Sequence, residues 1–288
     1  MGTCFIMSRM RNRHGADAAA KAKPSLVALG RLGWFSKGVV YVLAGILALF
    51  VAFRSLPALS SLDQEASPTG ALKAVAAMGG GRALLITLAT GLSFYTVWRV
   101  ATALLPGHFD LEALAMRIGY LVSALLYGTL SATAFALARR PHQQADGNAK
   151  VTDVSARVLD ARFGRIALGT VGAVAVGAAI FRIVKAARGD VNDELTLHGM
   201  SSRRVRVTTR LGIAGEIGRG IAVGLIGFFL VRAALDHKAD EATGLDGALT
   251  RLARSDWGRF VVGVVAVGFL LYGILCIATF NRRTLRAP

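Results

Sequence analysis

Charge is scarce in this 288-residue chain: Asp, Glu, Lys and Arg make up 18% of it, against roughly 25% in soluble globular domains. That shortage, beside 54% apolar residues, excludes a disordered chain and argues against a soluble enzyme. Carboxylates are the scarcer sign, with 17 Asp and Glu to 34 Lys and Arg. None falls at the centre of an apolar run, where an ion-driven carrier commonly keeps one. Cysteine is nearly missing; Cys4 lies in a polar N-terminal stretch and Cys276 inside an apolar run, which gives neither disulfide nor zinc-ligand spacing. The five histidines, His14, His108, His142, His198 and His237, form no HxxxH or HExxH, so no metal site is expected. No GxxxxGK phosphate loop and no GxSxG nucleophile turn occurs, so no cofactor and no catalytic residue are expected. Period-two alternation with regular turns is absent as well, which speaks against a membrane barrel.

What the chain does have is long apolar blocks, with a mean hydropathy of +0.52. Uncharged runs cover Gly38–Phe53, Ala83–Trp98, Ile118–Ala138, Ile166–Phe181, Gly220–Val231 and Phe260–Phe280. A 21-residue run makes about 31 Å of helix, the depth of a hydrocarbon core. The shorter runs reach that length by absorbing Lys37, Arg99, Arg182 with Lys185, or Glu216 with Arg219 near one end. The expectation is an all-α membrane protein with six transmembrane helices. The N-terminal stretch holds no apolar core of signal-peptide length, so the first run is expected to act as an uncleaved anchor.

The runs repeat. Arg31-Leu-Gly33-Trp34 aligns with Arg117-Ile-Gly119-Tyr120, carrying Tyr41 onto Tyr127; Gly33, Lys37, Gly38 and Gly45 align with Gly215, Arg219, Gly220 and Gly227. The alternate runs open on Gly81-Arg82, Gly164-Arg165 and Gly258-Arg259; within them Trp98-Arg99 matches Phe181-Arg182, and Gly91 and Tyr95 match Gly268 and Tyr272. Each unit is thus a two-helix hairpin entering from the same side, giving three parallel repeats around an expected pseudo-threefold axis. The expected division is a polar basic tail at 1–29 and repeats at 30–107, 108–190 and 191–285, the last starting with a basic loop. Before each Gly-Arg pair, apolar residues such as Leu72 and Val75, Val154 and Val158, or Leu249 and Leu252 recur at helical spacing, the pattern of a short amphipathic helix at the interface.

This thrice-repeated arrangement resembles the family called domain of unknown function 1206, uncharacterised bacterial membrane proteins with three copies of a two-span unit. The resemblance implies a location and an architecture and supplies no activity or catalytic residue. The middle copy departs from the pattern, with Ser123-Ala124 where Lys37-Gly38 would stand.

Basic residues lie mostly between the apolar runs, 19 on the side of both termini against 14 on the other, which favours termini in the cytoplasm of a bacterium with the spans in its inner membrane. Anionic phospholipid is the expected counter-charge, with a membrane-protein partner as the alternative and no nucleic acid. Lys37, Arg82, Arg99, Arg165, Arg182, Arg219 and Arg259 are the candidate interface or headgroup contacts; Lys37 and Arg219 are expected to snorkel, and Arg99 and Arg182 to meet helix C-terminal carbonyls. Tyr41, Tyr95, Tyr127, Tyr272 and Glu216 are the candidate polar residues inside the bundle, since a buried hydroxyl or carboxylate in a span needs a partner. The expected function is a non-enzymatic bundle that binds lipid or a partner; the alternative is a channel or transporter along the pseudo-threefold axis.

Overall fold

The computed structural model describes residues 24–53, 67–104, 111–140, 147–161, 163–189, 201–236, 238 and 241–282. The N-terminal tail through residue 23, with Cys4, and all five histidines lie outside these. The described elements are α1 (Pro24–Ala52), α2 (Pro68–Ala76), α3 (Gly81–Leu104), α4 (Leu111–Arg139), α5 (Gly147–Leu159), α6 (Gly164–Ala187), α7 (Ser202–Asp236), α8 (Leu245–Leu252) and α9 (Asp256–Thr279), with a closing 3-10 turn at Phe280–Arg282. Six of them, α1, α3, α4, α6, α7 and α9, are long and apolar enough to cross a membrane. The shortest have 24 residues, about 36 Å of helix against a core of about 30 Å. Hydroxyls inside the spans are satisfied locally: on α3 alone, Thr87, Thr90, Ser93, Thr96 and Thr102 each donate to the carbonyl one turn back, the usual solution where water is lacking.

Each hairpin carries its short helix between the spans, and one contact is common to all three. A Cβ on Gly81 would collide with the Val75 carbonyl oxygen, one on Gly164 with that of Val158, and one on Gly258 with that of Leu252. In every case the carbonyl belongs to the residue six positions earlier. The glycine of each Gly-Arg pair therefore lets the short helix fold directly back onto the start of the next span. Ser67 caps α2 by accepting from the Gly70 N–H, and Ser255 caps α9 by accepting from the Gly258 N–H, each satisfying an orphan donor of a helix start.

The main interfaces pair α3 with α4, α9 with α1, and α6 with α7, so each joins two different repeats; α1 with α3 and α7 with α9 pack within their own hairpins. The spatial order is α4-α3-α1-α9-α7-α6. Among the described residues, α4 and α6, the two spans of the middle hairpin, form no packed interface with one another. The packing thus departs from threefold symmetry: two hairpins pack span against span and the third does not. The basic stretch expected as a loop also differs: residues 202–210 are the opening turns of α7, since nothing between Ser202 and Leu211 interrupts a helix.

Candidate functional site

All six spans send polar or aromatic side chains to one region. On α1, Trp34, Lys37 and Tyr41 follow one another at helical spacing, as do Tyr95, Trp98 and Arg99 on α3, so each triplet faces one way. Lys37 lies nine residues inside Ala28, the start of its span, about 14 Å along the helix. It is 2% exposed. Its Nζ donates to the Tyr95 hydroxyl at 3.0 Å and sits over the rings of Trp34 at 4.4 Å, Tyr95 at 4.7 Å, Tyr127 at 4.9 Å and Tyr272 at 5.3 Å. Three aromatic rings and the Tyr95 hydroxyl around one ammonium form an aromatic cage, in which the ring quadrupoles and that oxygen replace part of the lost hydration. Arg99 is buried too; its Nε donates to the same Tyr95 hydroxyl at 2.8 Å, and its guanidinium lies over Trp98 at 4.8 Å and Tyr120 at 5.0 Å.

A second polar chain runs toward α6. Tyr127 donates to the Tyr41 hydroxyl at 3.1 Å, and Arg219 Nε donates to the same oxygen at 3.2 Å. The Arg219 guanidinium stacks over Tyr272 at 4.2 Å and pairs through Nη1 with Glu216 Oε1 at 2.7 Å. Glu216 then pairs through Oε2 with Arg182 Nη2 at 2.6 Å. Two guanidinium groups thus share one carboxylate and leave one positive charge over. The Arg182 side chain is 40% exposed, yet its Nε–H is buried and meets no acceptor among the described residues. A buried donor left without an acceptor marks a place for water or a ligand.

The structure therefore brings together nine of the twelve residues singled out from the sequence: Lys37, Tyr41, Tyr95, Arg99, Tyr127, Arg182, Glu216, Arg219 and Tyr272. Three expectations about them are corrected. Lys37 does not snorkel, because the cage holds its charge inside the bundle, and Arg219 does not either, because Glu216, Tyr41 and Tyr272 hold its guanidinium there. Arg182 pairs with a carboxylate on a neighbouring span, where a helix C-terminal carbonyl was expected. The remaining three lie apart at the opposite helix ends: Arg82 is exposed, Arg165 donates to the Leu235 carbonyl at 3.2 Å, and Arg259 donates to the Ala253 carbonyl at 3.1 Å and pairs with Asp256 at 3.4 Å. Sequence reasoning missed Trp34 as a wall of the cage and Trp98 as the ring beneath Arg99. The signal was there in Trp34-x-x-Lys37 and Tyr95-x-x-Trp98-Arg99, aromatic and basic residues on one helical face.

The family model described as "Domain of Unknown Function (DUF1206)" matches residues 32–105, 118–189 and 214–279. The "Uncharacterized protein YxxB" of Bacillus subtilis (strain 168) is 32% identical over 271 residues, which cover 93% of this chain and 95% of that protein. No solved structure matches.

Proposed function

The chain belongs to the family described as Domain of Unknown Function (DUF1206), and from that premise we propose that this multi-pass membrane protein is a non-enzymatic bundle that binds the phosphate group of an anionic phospholipid at Arg182 and Arg219. The membrane would be a bacterial cytoplasmic membrane, with both termini on the cytoplasmic side. One observation carries the reading: two span-borne guanidinium groups share a single carboxylate, and one of them keeps a buried N–H without an acceptor. Ionisable groups in spans are costly and persist where they have a task. A phosphate oxygen would supply both the missing acceptor and the missing negative charge, in the charge-assisted geometry arginine favours. The Lys37 cage then serves as the rigid floor against which the tyrosines are held. A path along an axis is disfavoured, since Leu47, Val51, Val262, Val265 and Phe269 fill the half of the bundle beyond the cluster.

The test is lipid retention by the purified protein in nanodiscs, with phosphatidylglycerol compared with phosphatidylcholine. The wild-type chain should prefer phosphatidylglycerol, and Arg182→Gln should weaken that preference roughly fivefold, the equivalent of about 1 kcal/mol per charge. Equal retention of the two lipids by the wild type would refute the reading.

A further inference from the structure

Three repeats of one hairpin ought to pack alike, and two of them do. In the first, a Cβ on Gly33 would meet the backbone of Tyr95 at 2.6 Å; in the third, a Cβ on Gly215 would meet that of Tyr272 at 2.9 Å. The equivalent glycine of the middle hairpin, Gly119, has nothing within 4 Å. The next level of the interface tells the same story. Ser36 lies against Gly91 in the first hairpin and Gly218 against Gly268 in the third. The repeat register puts Val122 and Val174 there in the middle one. Two β-branched side chains stand where small residues let the other helices touch, and they are 51% and 66% exposed. Where Lys37 meets Tyr95 and Arg219 meets Tyr272, the repeat register puts Ser123 and Ala178. The middle hairpin has lost its small-residue contact and its cation–tyrosine pair together. The gap between α4 and α6 is written into the sequence of that repeat.

We infer that this gap is a lateral doorway, through which the phosphate headgroup of an anionic phospholipid reaches Arg182 and Arg219 while its acyl chains remain in the bilayer. The inference rests on the binding reading above and adds the route. Arg182 belongs to α6, one wall of the gap, five residues before Ala187, about 8 Å inside the helix end. That depth lies next to the phosphate and glycerol layer of a leaflet, so a headgroup has little distance to travel. Exposure falls along the polar chain from Arg182 through Glu216 and Arg219 to Lys37, the order expected if the cluster is approached from the α6 side. Val122 and Val174 offer acyl chains apolar walls. A phosphocholine headgroup would carry its own cation against the surplus positive charge, which selects for phosphatidylglycerol.

The experiment closes the doorway after folding is complete. In a Cys4→Ser background, with the buried Cys276 kept, Ser123→Cys and Ala178→Cys are bridged in nanodiscs by a bifunctional methanethiosulfonate and reopened with dithiothreitol. The open protein should take up phosphatidylglycerol from added vesicles and the bridged protein at least tenfold less, with full recovery on reduction; free inorganic phosphate should bind equally weakly to both. Uptake unchanged by the bridge, with the phosphatidylglycerol preference intact and still lost in Arg182→Gln, would overturn the doorway and leave the binding reading standing. No preference in the open protein would overturn both. Thiols that bridge two chains instead of one would make the gap a contact between copies, and thiols that never bridge would show that these positions do not face each other; either result overturns the doorway.

Discussion

Tyr95 carries one hydroxyl that two cations use, Lys37 at 3.0 Å and Arg99 at 2.8 Å. Hydrogen bonds to charged groups are worth about 1.5–3 kcal/mol each when the alternative is an unsatisfied buried donor. Tyr95→Phe keeps the ring in the cage and removes the shared acceptor, so it should lower unfolding free energy by about 2–4 kcal/mol in a denaturant titration of the detergent-solubilised protein. Glu216→Gln is the sharper case. It removes the carboxylate between Arg182 and Arg219, and breaking a buried pair by deleting one partner typically costs about 3–5 kcal/mol. The same titration checks it, and Glu216→Gln with Arg219→Met should recover a large part of the loss, because the more buried guanidinium is then gone and the one left without a carboxylate, Arg182, has a side chain 40% exposed. The residue types of this cluster could be read from the sequence. Their convergence could not, since Tyr41 and Arg219 are 178 positions apart.

At the scale of the element, the glycine that opens each second span is a steric requirement. Gly81→Ala, Gly164→Ala and Gly258→Ala each push a methyl group against a backbone carbonyl six residues earlier, and overpacking of that kind costs about 1–3 kcal/mol. All three should lower the thermal midpoint by similar amounts. The glycines of the first spans should not behave alike: Gly33→Ala and Gly215→Ala meet backbone of the neighbouring helix, whereas Gly119→Ala meets open space. The first two should destabilise, while the third should be neutral or gain up to about 1 kcal/mol from helix propensity. A thermal melt of the three variants side by side decides it. The hairpin unit, its Gly-Arg pair and the short amphipathic helices were legible as sequence periodicity. The reason for the glycine was not, because the carbonyl it accommodates belongs to an element whose direction no spacing reports.

For the whole molecule, six crossings would put the described ends, Pro24 and Arg282, on the same side of the membrane. Reporter fusions at the N- and C-terminal ends should therefore score in the same compartment, and the surplus of basic residues on that side predicts the cytoplasm. Opposite compartments for the two fusions would mean an odd number of crossings.

The amino-acid sequence by itself determined six helices long and apolar enough to cross a bilayer, in three like hairpins, because hydrophobic length and repeat register are local quantities that bilayer thickness and backbone hydrogen bonding translate directly into helices. Even the odd character of the middle hairpin stands there in Val122, Ser123, Val174 and Ala178. Only the tertiary structure decided what those differences do. Whether two helices touch depends on the atoms facing each other across a gap, and it took the packed bundle to turn Lys37 inward, join Tyr41 to Arg219, and leave the α4–α6 seam open beside an arginine with an unused N–H.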